Sequence, residues 1–370
     1  MFMKSLGQDP CTQGPALRSL LVSYCRMCID GKNIKHKDTI RSGTISGYMH
    51  EVNALFRKRG LNQPIDFKDY QDPVNILIKN LSAEEDVADQ RSPFTPQMVG
   101  EFFRRGKSAD RNSLEALVLN IIVAGRGMGF RASETSTSTR TKPDYFTYPR
   151  SSKQVIKAMC ENWWTGLDRN ENVVDDIVDN KDEVVKTKIN WKIQKNRRNN
   201  EAVTYVCDKE NTDFCIPTAI IEMTERARSL GQPADLPLCV YADANGNKKY
   251  LTSADLTKYI RDVAKAVHTN MSKKEIMRFS CHSIRVWACV LLYESGKKGD
   301  YIKKRLRWLS ECYRIYLRDT EKTASQHNEC LREYSDLISA MKLTQINLPE
   351  NVEYTVEEDE EMGVYDDLDG

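Results

Sequence analysis

Apolar residues recur along most of this chain at the three-to-four-residue spacing of amphipathic helices. Between about Thr44 and Arg59, Ile45, Met49, Val52 and Phe56 fall on one helical face, and Gly60 stands where a helix would stop. The stretch AEEDVADQRSP (83–93) has no period and carries charges and a proline, which predicts a linker. A new helix is predicted at Thr95-Pro96, with Thr as N-cap and Pro at the first helical position. Another follows from Ser113, where Leu114, Leu117, Val118, Ile121 and Ile122 form an apolar face ending in Gly125, Gly127 and Gly129. Residues 140–215 change character. Val, Thr, Tyr and Trp become frequent, and 188–208 (KINWKIQKNRRNNEAVTYVCD) predicts two strands joined by a polar, basic turn. The acidic run 167–186 reads as an exposed insertion. Helical spacing resumes over 217–229, 253–268, 283–295, 301–318 and 328–342. The pattern as a whole predicts a mainly α protein with a small antiparallel β-sheet, the α+β part lying in the larger of two domains.

Composition narrows the class. With 370 residues, 40% hydrophobic and 29% charged, the chain matches ordinary globular proteins and has room for two domains. No apolar run approaches the length of a membrane span, and the start, MFMKSLGQDPCTQGPA, lacks the apolar core of a secretory signal, so no membrane partner is expected. The eleven cysteines are expected to be free thiols. Formal charge is +2, yet residues 351–370 contain nine acidic residues and no Lys or Arg, so the remaining chain carries +11. A basic body with an acidic tail fits an anionic partner, nucleic acid first, although a solvated tail on an unrelated protein would look the same.

Most familiar chemistry is missing. The CRMC at Cys25–Cys28 has no second pair to complete a zinc site and reads as core packing. No phosphate-binding GxxxxGK[ST] or zinc-protease HExxH occurs, and GRGMG (125–129) lacks a preceding strand. What remains is a set of residues in three segments: Arg131 within GFRASE, His282 and Arg285 within HSIR, and Trp308 and Tyr316 within RLRWLSECYRIYLRDT, expected on one basic helix. Arginine offers permanent, forked donors to phosphate oxygens. Histidine exchanges a proton near neutrality, and tyrosine can act as a covalent nucleophile. Each residue has a plainer reading. Arg131 could cap the preceding helix, His282 could be a satisfied core histidine, and Trp308 could be packing alone. Tyr313 competes with Tyr316 because three residues of helix put both near one face.

Taken together, these segments resemble the catalytic domain of the tyrosine recombinases, the integrase and Cre-like family. In look they are nearest to the eukaryotic Crypton- and DIRS-type mobile-element enzymes. GFRASE matches that family's G-[LF]-R-x-S-E, HSIR its H-x-x-R box, and Trp308 followed eight residues on by Tyr316-Leu-Arg its closing W…Y-[IL]-R. The resemblance implies a clamp-like, two-domain architecture: an N-terminal lead (1–15), a helical DNA-binding domain (16–82), the linker (83–93), a catalytic domain (94–345) and an acidic disordered tail (346–370).

It also implies roles. Arg131 and Arg285 would hold the scissile phosphate, His282 would handle the nucleophile's proton, Trp308 would support the phosphate with its indole N–H, and Tyr316 would form a 3′-phosphotyrosine. Lys195, in the predicted β-turn, would be the general acid, with Lys192 and Lys188 as alternatives. Lys195, Arg197, Arg198, Lys297, Lys298, Lys303, Lys304, Arg305 and Arg307 would contact double-stranded DNA. No cofactor, metal or ATP is expected; a tetramer on DNA and nuclear (otherwise cytoplasmic) localisation are. Relaxation of DNA in the manner of a type IB topoisomerase, or a catalytically silent DNA-binding role, are the alternatives.

Overall fold

The computed structural model describes residues 15–30, 40–85, 90–148, 151–194 and 198–317, with isolated positions beyond. All of the expected lead (1–15) but Pro15, all but isolated positions of the helix expected over 328–342, and the acidic tail lie outside the described residues. The chain divides into two compact units, with the boundary between Asp89 and Gln90.

The first unit is helical. It contains α1 (Pro15–Ile29), α2 (Ser42–Lys58) and α3 (Pro73–Glu84). The predicted face of α2 is buried at Ile45, Met49 and Phe56, and meets Leu17, Leu21, Cys25 and Cys28 from α1 and Val74 from α3 in one core. Asp72 starts α3 as its N-cap, accepting from the Val74 and Asn75 amides, with Pro73 at the first position. Cys25 and Cys28 are fully buried, and burial pushes the Cys25 thiol up to about 12. A thiol held protonated in an apolar core is a small hydrophobe, as the sequence indicated.

The second unit begins with α4 (Pro96–Ser108) and α5 (Leu114–Met128), each started by the expected hydroxyl cap, Thr95 and Ser113. Helix α5 is buried along almost its whole length. It forms the axis on which α4, α7 (Ile216–Ser229) and α10 (Ser283–Glu294) pack. A four-residue helix, α6 (Ala132–Thr135), follows α5, and then the β region begins. Strands β1 (Tyr145–Thr147) and β2 (Gln154–Ile156) form a hairpin. Strands β3 (Trp164–Leu167), β4 (Val173–Val174), β5 (Lys186–Trp191) and β6 (Glu201–Val206) form an antiparallel sheet in the order β4-β3-β5-β6. After α7 come the small hairpin β7 (Val240–Ala242) and β8 (Lys248–Tyr250), then α8 (Ser253–Val267) and α9 (Lys273–Met277). The described chain closes with α10, α11 (Gly299–Leu306) and a 3-10 helix at Glu311–Tyr316. The protein is mainly α with small antiparallel sheets. No helix among the described residues is long and apolar enough to cross a membrane.

The predicted pair of strands over 188–208 is the β5–β6 hairpin. Along β5, Thr187, Ile189 and Trp191 are buried while Lys186, Lys188 and Asn190 alternate with them.

Two expectations need correction. The acidic run 167–186 is not simply an exposed insertion. Its charges face water, but Val174, Ile177 and Val184 are buried in the main core, and Asp176 binds Arg228 at 2.8 Å. Helical spacing also misjudged 301–318. The helix ends at Leu306, because Arg307 takes a left-handed backbone (φ 59°), and the chain resumes as a 3-10 helix only at Glu311.

Candidate active site

Three segments far apart in sequence meet at the C-terminal end of α5. Gly129 ends that helix in a left-handed conformation, φ 53°, which suits a residue without Cβ. An added Cβ would also sit 2.8 Å from the Leu306 side chain, so this glycine lets the end of α11 come close. The Gly129 carbonyl accepts from Arg285 Nη1 at 2.5 Å. Arg285 Nη2 donates to the Leu306 carbonyl at 2.8 Å, so one guanidinium ties the ends of two helices. That fork has further N–H donors beyond these two.

HSIR straddles the start of α10. His282 occupies the N-cap position, and Arg285 lies one turn in, 3% exposed. His282 Nε2 lies 3.1 Å from the Tyr316 hydroxyl. The Tyr316 ring stacks on Trp308, centroids 5.6 Å apart, and the Arg285 guanidinium lies 4.1 Å from the Trp308 ring centroid on its face. Trp308 thus packs between the buried arginine and the tyrosine.

The Tyr313 ring also meets Trp308, centroids 6.3 Å apart, but its hydroxyl points elsewhere. It is 6% exposed, and its hydroxyl fills the space where Gly299 carries no side chain, whereas Tyr316 reaches the histidine. Three residues of 3-10 helix do bring both rings to Trp308, and the hydroxyls part from there, one toward Gly299 and the other toward His282.

Arg131 enters from the start of α6. Its Nη1 donates to Glu134 Oε1 at 3.0 Å and its Nη2 to the Arg307 carbonyl at 3.0 Å, while its backbone N–H donates to Glu134 Oε2 at 2.9 Å. Arg131 therefore does not serve as a cap for α5 carbonyls. Glu134 is buried; burial alone would raise its carboxyl, but the charges of Arg307, Arg131 and Arg285 outweigh it and hold the group below the usual carboxylate range.

Electrostatics decide which proton the site can move. Burial first, then the charges of Arg285 and Arg91, push His282 down to about 4. The imidazole is neutral at physiological pH and can accept the Tyr316 proton at Nε2. Burial first, and the neighbouring Arg131 charge next, lower Arg285 to about 9, which leaves it charged at neutrality. A histidine whose folded pKa lies below its unfolded value stabilises the fold above about pH 6.5, and that contribution is lost as pH falls toward 4. It amounts to about 3 kcal/mol. His282→Asn should therefore flatten the acid side of a Tm-against-pH curve between those values; an acid limb as steep as that of the parent protein would show that His282 does not titrate with folding.

The remaining expected site residues are placed as follows. Lys195 and Arg197 fall between β5 and β6 in sequence and lie outside the described residues. Lys188 and Lys192 are half-buried, on β5 and just beyond it. Arg198, Lys297, Lys298 and Lys304 are exposed. Lys303 pairs with Asp300 and Glu311. Arg305 stacks on the Tyr205 ring at 4.7 Å and donates to the Thr204 carbonyl at 3.3 Å.

Arg307 is a correction. It was expected to contact DNA, but its side chain is 0% exposed, Nη2 donates to Glu134 Oε2 at 2.8 Å, and the guanidinium lies 3.6 Å from the centre of the Trp191 ring. The helix end turns its side chain inward, so a basic composition around it misleads. Sequence reasoning gave no role to Glu134, Trp191 or Arg91, and a different one to Arg307. For Glu134 a signal existed, because an acidic residue three after the start of a helix is in capping-box register. For the other three there was none, since their roles depend on segments that meet only in the fold.

No cluster of three or more metal-ligating side chains occurs among the described residues. No protein-family description and no curated protein sequence matches the chain. Among solved structures, it is similar to the integrase of transposon Tn1549 in complex with transposon right-end DNA, at 13% identity over 89% of this chain and 91% of that one, TM-score 0.47. It is also similar to the XerH site-specific recombinase bound to a palindromic difH substrate, at 15% identity over 85% of this chain and 72% of that one, TM-score 0.46. A lambda integrase dimer bound to a core site follows at 11% identity, over 85% of this chain and 83% of that one, TM-score 0.38.

Proposed function

We propose that this protein is a DNA strand transferase of the tyrosine recombinase kind, which cuts and rejoins double-stranded DNA through a 3′-phosphotyrosine. The observation that carries this reading is the Tyr316 hydroxyl 3.1 Å from the neutral His282 imidazole, beside the buried cation Arg285. A phenol with a proton acceptor on one side and fixed positive charge nearby is equipped to attack an anionic, tetrahedral centre.

In this reading the Tyr316 oxygen forms a bond to phosphorus and its proton passes to His282. The bond from phosphorus to the 5′ oxygen breaks, and that oxygen leaves as a hydroxyl, with Lys195 as the proposed proton donor. The energy of the broken phosphodiester is kept in the phosphotyrosine, so rejoining requires only the reverse steps. Arg131 and Arg285 stabilise the charge that develops on the nonbridging oxygens. Two duplexes and four nucleophiles are needed for strand exchange, which goes with a tetramer on DNA.

A nicked duplex that loses a short oligonucleotide on cleavage traps such an intermediate. The protein should then migrate as a covalent protein–DNA adduct in denaturing gels; noncovalent binding alone would point to a silent DNA-binding protein. Exchange of strands between two duplexes separates recombination from simple relaxation.

The exposed lysines make a separate expectation. Affinity for duplex DNA should fall steeply with salt, because each neutralised phosphate releases counterions. Replacing Lys297, Lys298 and Lys304 together with Ala should lower the slope of log affinity against log salt by about one unit for each phosphate left without its lysine. A slope unchanged by the triple substitution would place the DNA elsewhere.

A further inference from the structure

Arg307 combines features that ordinary packing does not call for. It is a non-glycine residue in the left-handed region, φ 59°, a conformation disfavoured for a long side chain. It also buries a full positive charge, which a fold tolerates only when the charge is well partnered. Both costs fall on the residue that immediately precedes Trp308.

Three groups explain the placement. The backbone carbonyl of Arg307 accepts from Arg131 Nη2 at 3.0 Å. Its Nη2 donates to Glu134 Oε2 at 2.8 Å, and Glu134 in turn binds the other end of the Arg131 fork through Oε1 at 3.0 Å. Its guanidinium lies 3.6 Å from the centre of the Trp191 ring, the last residue of β5. Arg307 therefore fixes Arg131 twice, directly through its carbonyl and indirectly through Glu134, and it braces this arrangement against the end of β5.

We propose that Arg307 is a positioning residue: by gripping Glu134, Arg131 and Trp191 at once, it sets the Arg131 guanidinium and the Trp308-to-Tyr316 segment in register for attack on phosphate. The proposal rests on the strand-transferase reading. The charged and titratable groups facing Glu134 are Arg131 from the start of α6, Arg285 from α10, Arg307 from the end of α11 and Tyr205 from β6. Arg307 supplies the largest of the opposing charges. Without it, burial raises the Glu134 carboxyl, so at low pH Glu134 becomes neutral and Arg131 loses its counter-charge.

The test uses Arg307→Met, which keeps much of the side-chain volume without the charge, and the double variant Arg307→Met/Glu134→Gln, which leaves no unpaired carboxylate and so guards against misfolding. Adduct formation on the nicked duplex is timed from pH 5.5 to 9, together with affinity for the same duplex. Arg307→Met should cleave about a hundredfold more slowly at neutral pH, since misplacement by roughly 1 Å has that effect, with affinity nearly unchanged. Its rate should climb with pH as Glu134 ionises, a slope absent from the parent protein. The double variant should be slow at every pH. A folded Arg307→Met with the parent rate and profile overturns the proposal, as does a double variant that cleaves at the parent rate. A parent protein that leaves no adduct instead removes the function itself, and the positioning role with it.

Discussion

Tyr316→Phe should abolish the covalent protein–DNA adduct while leaving the fold and the affinity for a nicked duplex nearly intact. The substitution deletes one oxygen. The ring still stacks on Trp308, while the hydrogen bond from the hydroxyl to His282 is lost. Phenylalanine has no nucleophilic atom, so the loss is not graded: no adduct forms at any enzyme concentration or time. Tyr313→Phe is the informative companion. Its hydroxyl packs against Gly299, whereas the contact with His282 belongs to Tyr316, so that variant should cleave at close to the parent rate and show at most a modest loss of stability. An adduct from Tyr316→Phe, with none from Tyr313→Phe, would reverse the assignment.

The second large effect is at Arg285. Arg285→Ala should reduce the rate of adduct formation on the order of a thousandfold, the loss expected when one preorganised donor to a developing anion is removed. The effect on rate should exceed the effect on DNA affinity, because the group acts on charge that appears in the transition state. The structure adds a stability cost that a surface phosphate contact would not have. Arg285 is buried, holds the Gly129 and Leu306 carbonyls, and stacks on Trp308. Its removal leaves two inward-facing carbonyls short of a donor and should lower stability by about 2–4 kcal/mol. Arg285→Lys separates the two effects, since lysine keeps the charge but not the planar fork. It should recover part of the binding and little of the rate. A rate for Arg285→Ala within tenfold of the parent would show that this arginine is scaffold alone.

Much of the second unit was legible because burial and period agree there. Leu117, Val118, Ile121 and Ile122 face the core as the spacing of α5 required, and Thr95 and Ser113 cap where their hydroxyls predicted. The segments bearing Arg131, His282, Arg285, Trp308 and Tyr316 converge because glycine at 129 and the start of α10 bring helix ends together. No local pattern encodes that convergence; the motifs alone pointed to it. The failures share one cause. A left-handed turn at Arg307 is unexpected for an arginine, so helical spacing ran on through 301–318, and the same turn drew the side chain inward and removed it from the expected DNA surface. The acidic run misled for a related reason: abundant charge concealed Val174, Ile177 and Val184, which anchor it.

The hydrogen bond from Arg131 to the Arg307 carbonyl spans 176 residues of chain. Pairings of such long separation form late, because the intervening loop must first be ordered, and here that loop includes the whole β region and the six helices α6 to α11. During synthesis, residues up to the end of α10 can fold around α5 while the Trp308-to-Tyr316 segment is still missing. On the strand-transferase reading proposed above, a nascent chain would therefore hold basic surface and meet DNA before it had anything with which to cut it. On that reading cleavage competence would be the last property this unit acquires, and copies that stop short of α11 would be bystanders to DNA and not a hazard to it.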